Sequence, residues 1–367
     1  MSDERFMRVA LELAEGGEGY VNPNPLVGAV VVKDEEIVGR GFHKLFGGPH
    51  AEVFAIEDAG TAADGATLYV TLEPCIHYGK TPPCTERIIE AGLSRVVIGC
   101  RDPNPLVNGK GIARLREAGI EVTEGVMESQ ARRINEIFFR FITGDRPFVQ
   151  LKLAESLDGK IATHSGDSRW ISSTASRREV HRLRRRFSSV LVGVNTVLAD
   201  DPRLTVRHVA GPDPLRLVLD RNGDIPIGAR LLHGRGRTIV VTAAMPMEKE
   251  QAIIGLGKDV WRMPSEAEWI DLCRLLTRLK EKGIDSVLIE GGGETAEAFL
   301  RAGLVDKVSF FIAPIIIGGR TAVPAIGGQG IDRIHDAIQL QEVKIKGIGD
   351  DLMVTGYVVH DEFRGKR

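Results

Sequence analysis

The stretch at residues 50–84, HAEVFAIEDAGTAADGATLYVTLEPCIHYGKTPPC, decides the reading of the first half of the chain. It opens on His50-Ala51-Glu52 at the start of a helical segment. It then runs through a β-branched strand at 66–72, which Pro74 terminates. Cys75 therefore falls at the carboxyl end of a sheet strand, the ligand crevice of an α/β sheet. Cys84 belongs to the next helical segment, at 83–91. An imidazole and two thiolates can hold a zinc ion with one position left open, where metal-bound water loses a proton near pH ~7 rather than ~15.7. Such a site also needs a carboxylate that is not a ligand. At the helix start Glu52 turns toward the open position, ready to carry a proton to a ring nitrogen and a leaving amine. His50, Cys75 and Cys84 are thus the expected metal ligands and Glu52 the catalytic acid/base. A closed structural site with a fourth ligand such as His77 is the alternative.

Outward from this stretch, helix and strand alternate. A helix is expected at 3–15, strands at 27–33, 37–42, 95–99 and 121–123, and helices at 110–119 and 127–142. Thr143-Gly-Asp-Arg-Pro147 reads as a linker between domains at 1–145 and 146–367. The second half carries strands at 148–154, 189–194, 215–220, 238–242, 286–290, 307–316 and 352–359. Two helices, at 174–187 and 266–282, lie among them. Both halves are α/β.

Composition narrows the function class. The 367 residues are 43% hydrophobic and 27% charged, as in ordinary globular domains. Forty-eight basic residues balance 50 acidic ones, so no global field draws the chain to nucleic acid or an anionic membrane. The first residues lack the pattern of a signal peptide, and the longest apolar run, at 308–317, is broken by Ser309 and Pro314. A cytosolic protein is expected. With four cysteines, metal or catalytic chemistry is a better reading than a disulfide scaffold, and Cys100 and Cys273 are expected to pack.

In the second half, Glu290-Gly-Gly-Gly293 joins a strand to a helix start, where glycines let backbone approach a phosphate and the helix N-terminus offers unpaired N–H groups. The spacing is not that of a Rossmann fingerprint.

The His50-Ala-Glu52 and Pro74-Cys75 motifs resemble those of the cytidine-deaminase-like superfamily, whose general form has two residues between its cysteines. Here eight intervene. With Asn22-Pro-Asn24-Pro-Leu-Val-Gly28 upstream and Asp102-Pro-Asn104-Pro105 downstream, the pattern resembles the bifunctional riboflavin-biosynthesis deaminase/reductases. The family usually has Ser where Ile76 stands.

That resemblance implies a cytidine-deaminase-like three-layer domain followed by a reductase domain similar to dihydrofolate reductase. It implies substrate contacts at Asn24, His43, Lys80, Asp102, Asn104 and Asn108, of which the asparagines suit a pyrimidine edge and Lys80 a sugar phosphate. In the reductase it implies NADPH contacts at Ala154, Trp170, Thr196 and Asp200, and along Gly292, Gly293, Glu294, Thr295, Ala296, Glu297 and Ala298. Substrate contacts would be Ser168, Arg184, Leu204, Arg207 and Glu290. Arg221, where the family often has Ser, is a candidate for the 2′-phosphate of NADPH. Lys152 and Asp200 are candidates for polarising or protonating the reduced centre. Arg184 and Arg207 suit a sugar phosphate. A phosphoribosylated pyrimidine as substrate and a homo-oligomer, dimer or tetramer, are expected. A nucleic-acid base deaminase and a zinc-stabilised binding module are the rival readings; balanced charge argues against the first and the uncoordinated acid Glu52 against the second.

Overall fold

The computed structural model describes residues 3–76, 82–266 and 269–360, with backbone alone at 265, 266 and 269. The chain divides into two compact units, Met1–Asp145 and Arg146–Arg367.

In the first unit the described residues form a sheet from β1 (Gly28–Lys33), β2 (Glu36–Phe42), β3 (Thr67–Leu72), β4 (Arg95–Cys100) and β5 (Glu121–Glu124), in the order β2-β1-β3-β4-β5. β1 is antiparallel to both neighbours, whereas β3, β4 and β5 are parallel. Val30, Val31, Leu68, Val70, Val96 and Ile98 fill the sheet faces against Met7, Ala10, Ala51, Ala55, Ile88 and Leu115 from helices. Apolar residues on both faces call for a helical layer on each side. A Cβ at Gly39 would lie 2.1 Å from the Ala55 carbonyl oxygen, and one at Gly41 2.2 Å from that of Ala51. These two glycines let helix Ala51–Ala59, which carries Glu52, lie directly on β2.

The single helix expected at 127–142 is two, Glu128–Ile134 and Glu136–Thr143. Buried Asn135 stands at the break. Its side chain accepts from the Leu26 N–H at 2.7 Å and donates to the Leu26 carbonyl at 2.9 Å. The polar side chain serves a distant loop, and this is the local cause of the interruption.

The second unit contains β6 (Phe148–Ser156), β7 (Lys160–Ala162), β8 (Ser189–Gly193), β9 (Leu215–Leu219), β10 (Thr238–Thr242) and β11 (Asp259–Arg262). Beyond these come β12 (Ser265–Glu266), β13 (Trp269–Ile270), β14 (Ser286–Glu290), β15 (Lys307–Ala313), β16 (Val323–Pro324), β17 (Leu340–Ile348) and β18 (Asp351–Val358). Nine of them make one sheet in the order β11-β10-β9-β8-β14-β6-β15-β18-β17. All pairings from β11 to β15 are parallel, and β18 and β17 add an antiparallel edge. The near-continuous apolar runs in β8, β10 and β14 follow from burial on both faces.

Several expected boundaries move. The helix expected at 266–282 is instead the antiparallel pair β12 and β13 followed by helix Leu272–Glu281, because Asp271 caps the Arg274 N–H at 2.9 Å. The strand expected at 307–316 stops at Ala313, before Pro314. Strands β7, β11, β16 and β17 and helices Val194–Asp200, Arg230–His233 and Met247–Gly255 are additional to the expected elements. Cys100 is buried as expected; Cys273 is exposed and does not pack.

Candidate active sites

In the first unit, Leu72 ends β3, and Glu73-Pro74 carries the chain to Cys75. His50 precedes helix Ala51–Ala59 and Cys84 begins helix Cys84–Glu90. The ligand atoms of His50, Cys75 and Cys84 lie within 4.8 Å of one another. His50 Nδ1 is 3.2 Å from Cys84 Sγ and 3.6 Å from Cys75 Sγ. Cys75 Sγ accepts the Cys84 N–H at 3.4 Å. Contacts from Cys84 and His50 pull the Cys75 thiol well below its ordinary range, while its contact with Cys75 raises His50 to about 9. A cation held by the three atoms would replace the shared protons.

Glu52 is buried beside them, and its Oε2 has no hydrogen-bond partner among the described residues. Burial pushes its carboxyl upward. An unpartnered buried carboxylate oxygen next to three soft or borderline ligands fits zinc with an open position.

Around this centre the sequence-selected polar residues are tied together. His43 is buried and held neutral chiefly by that burial. Its Nδ1 lies 3.0 Å from the Pro49 carbonyl and its Nε2 3.2 Å from Asn24 Nδ2. A carbonyl only accepts, so Nδ1 carries the proton and Nε2 accepts from Asn24. Asp102 is buried, with its pKa pushed up to about 6 mainly by burial, and it accepts the Asn104 N–H at 2.8 Å. Asn108 is exposed and lines a cleft with Asp102. Lys80 and His77 lie outside the described residues.

In the second unit a cleft of about 1280 Å³ opens at the carboxyl ends of β6, β8, β9 and β14. It is lined by Lys152, Ala154, Ser168, Trp170, Arg184, Thr196, Asp200, Leu204, Arg207, Arg221, Glu290, Gly292, Gly293, Glu294, Thr295 and Ala298. Ala296 and Glu297 are not among its walls. Ala296 is fully buried in the core, and Glu297 pairs with Arg301 at 3.1 Å. Helical periodicity turns these two away from the face that Thr295 and Ala298 present.

The glycine turn has mixed duties. Gly291 and Gly292 have φ of +85° and +80°, and Cβ atoms there would face Thr196 Oγ1 at 3.5 and 3.3 Å. A Cβ on Gly293 would instead meet the Pro324 carbonyl oxygen at 2.8 Å. So Gly292 keeps the cleft side clear, while Gly293 permits close packing against residues 324–327. A wide cleft, left-handed glycines and the N-terminus of helix Gly293–Arg301 on its wall fit a dinucleotide phosphate.

Arg184 was expected to meet a substrate phosphate; its Nε and Nη2 instead bind Glu290 at 2.6 and 2.7 Å, and Nη1 donates to the Thr205 carbonyl. Burial opposes the Glu290 carboxylate form, but Arg184 outweighs it and leaves the group below its ordinary range. Burial also pushes the neighbouring Lys152 ammonium down. Arg207 is exposed. Ser168 donates to Asp200 Oδ1 at 3.0 Å, and Trp170, 71% exposed, stands at the rim with Arg177 over its ring. Sequence reasoning missed His181, a cleft residue whose Nδ1 accepts the Arg207 N–H at 3.1 Å. Glu73 belongs to the Glu73-Pro74-Cys75 motif in the sequence, but motif reading alone gives it no role.

Residues 147–354 match the model of the RibD C-terminal domain, and residues 1–100 that of the cytidine and deoxycytidylate deaminase zinc-binding region. The riboflavin biosynthesis protein RibD of Aquifex aeolicus is 46% identical over 353 residues, 96% of this chain and 97% of its own. The chain belongs to the RibD family. That of Bacillus amyloliquefaciens is 47% identical over 356 residues, covering 96% of this chain and 95% of the other. Among solved structures, Acinetobacter baumannii RibD superposes with a TM-score of 0.88 at 38% identity, covering 98% and 99% of the two chains. A deaminase/reductase of Thermotoga maritima gives 0.85 at 42% identity, covering 97% and 98%. As a RibD family member the chain is a bifunctional enzyme of riboflavin biosynthesis, a zinc-dependent deaminase joined to an NADPH-dependent reductase.

Proposed function

We propose that the first unit deaminates 2,5-diamino-6-(5-phosphoribosylamino)pyrimidin-4(3H)-one to 5-amino-6-(5-phosphoribosylamino)uracil. The second unit then reduces the ribosyl group to ribityl. The observation that carries the first step is buried Glu52, with an unpartnered oxygen beside three atoms able to ligate a metal. The Thermotoga maritima relative is described as a diaminohydroxyphosphoribosylaminopyrimidine deaminase/5-amino-6-(5-phosphoribosylamino)uracil reductase.

His50, Cys75 and Cys84 would hold the zinc, which when bound supplies Lewis acidity that makes water a nucleophile at neutral pH. Glu52 takes the proton released from water on Oε2. It returns that proton to the ring nitrogen and carries another to the amine that departs as ammonia, while the C2–N bond gives way to C2–O. Its raised pKa suits a group that must hold a proton between transfers. The Asn24–His43 pair and the Asp102–Asn104 turn read the pyrimidine edge.

In the second unit, bound NADPH supplies a hydride for the sugar C1′. Lys152, its ammonium pushed down by burial, is the proton source beside the reduced centre, with Asp200 as the second polarising group. Arg207, outside the Arg184–Glu290 pair, meets the sugar phosphate, and Arg184 fixes Glu290 for the substrate.

Incubating the full chain with the diamino substrate and NADPH tests both steps, by ammonia release and by loss of reduced-nicotinamide absorbance. The absence of both signals from zinc-replete, folded protein would refute the assignment.

Each unit has its own apolar core, so 1–145 and 146–367 act as separate folding domains. No described helix is long and apolar enough to cross a membrane, and the four cysteines are free thiols, in keeping with a cytosolic enzyme. Edge strand β17 leaves Val343 50% and Ile345 69% exposed, a face suited to a second copy in a homo-oligomer. Light scattering on the purified chain tests that assembly.

A further inference from the structure

We propose that Glu73 is a positioning residue of the deaminase, locking the segment that carries Asp102, Asn104 and Asn108 to the loop that carries Cys75. The inference rests on the deaminase reading above and adds to it a residue that touches neither metal nor substrate.

Glu73 is buried, 3% exposed, and its carboxylate is met by backbone N–H groups. Oε2 accepts from Gly109 at 2.9 Å and Asp102 at 3.3 Å; Oε1 accepts from Gly111 at 3.0 Å and Ile112 at 3.3 Å. Three of these donors lie at the start of helix Lys110–Glu117, whose preceding residue, Gly109, has a left-handed conformation and supplies no side-chain cap. Glu73 is therefore that helix's cap, provided from the residue that follows β3, and its charge matches the positive end of the helix dipole. The fourth donor is the Asp102 amide, so one carboxylate holds the substrate-reading segment at both of its ends.

The backbone is fitted to the same purpose. A Cβ on Gly111 would lie 2.1 Å from the Pro74 carbonyl oxygen. The Glu73 N–H donates to the Cys100 carbonyl at 3.0 Å, fixing the strand end from which the cap reaches. Turn hydrogen bonds, such as the Asn108 N–H to the Asn104 carbonyl at 3.0 Å, hold the segment at 102–109 within itself, and this carboxylate joins it to the loop of Cys75. Misplacing substrate-contacting groups by about 1 Å costs up to about 100-fold in rate.

The test is Glu73→Gln in the full chain, with zinc content, steady-state ammonia release and amide hydrogen exchange measured together. The amide nitrogen turns an acceptor into a donor and sets it against backbone N–H groups. Zinc content should stay at the parent level, and KM for the diamino substrate should rise about tenfold or more with a smaller change in kcat. Exchange at Asp102, Gly109, Gly111 and Ile112 should quicken even in metal-free protein, a readout that does not need activity. Unchanged KM and unchanged exchange in a zinc-replete variant would overturn the proposal. Loss of zinc with exchange unchanged would overturn it too, assigning Glu73 to the metal loop. If Glu73→Gln does not fold, Gly111→Ala, which pushes the helix start off Pro74, must raise KM in the same way, and parent-like KM there refutes the inference. A parent protein that releases no ammonia would instead defeat the deaminase reading, while the exchange result would still decide the cap.

Discussion

Replacing Glu52 by Gln separates chemistry from folding. The amide matches the carboxyl in shape but neither accepts a proton from water nor returns one. Loss of a positioned acid/base lowers kcat by about 100- to 10,000-fold. At about 1.36 kcal/mol per decade this is ~3–5.5 kcal/mol of barrier. Folding should move the other way or not at all. Glu52 Oε2 is buried without a partner, and burial has pushed its pKa up, so the parent carries a desolvated group of the kind that costs about 1–3 kcal/mol. A neutral amide removes the charged part of that cost. The melting temperature of the metal-free variant should equal or exceed the parent's, with the zinc content of the loaded protein unchanged. Metal analysis, thermal unfolding and ammonia release on the same preparation give the answer. A zinc-replete Glu52→Gln enzyme with kcat within about tenfold of the parent would refute the acid/base role, since such a group supplies at least about 100-fold.

Gly292→Val should weaken NADPH binding by about tenfold or more, because a β-branched residue is strained at φ +80° and its side chain faces Thr196 across the cleft; ammonia release should stay near parent. NADPH titration with a melting curve alongside checks that the loss is local. His181 is held down at about 4, chiefly by burial and then by Arg184 and Arg207. The unfolded chain therefore binds a proton near pH 6.5 that the folded chain refuses, so His181 lowers stability progressively from pH 6.5 to about 4. His181→Gln should flatten the melting temperature over that window, and an unaltered slope would exclude His181 as its source. Residues 1–145 and 146–367 expressed apart should each unfold cooperatively, as calorimetry on each piece would record; failure of both would make the two units one folding domain.

Much of the first site could be read in the sequence because ligand chemistry belongs to residue type. His50, Cys75, Cys84 and Glu52 stand at element ends that periodicity and Pro74 already mark, and the structure brings the three ligand atoms within 4.8 Å. The second site was legible only in part. Periodicity marked the strand-to-helix turn at Gly292, yet it did not reveal that Ala296 faces the core or that Gly293 clears space for Pro324 rather than for the cleft.

By itself the sequence determined two α/β halves, the candidate metal-ligand set and the glycine turn, since each rests on local periodicity, turn chemistry or the chemistry of single side chains. Only the tertiary structure decided the order of the nine-stranded sheet, the pairing of Arg184 with Glu290 106 residues away, and the capping of Gly109 and Gly111 by Glu73 from 36 and 38 residues away. The reason is physical. A buried charge takes whichever partner the packed chain brings to it, and which one arrives is set by long-range burial and chain closure rather than by its neighbours in sequence.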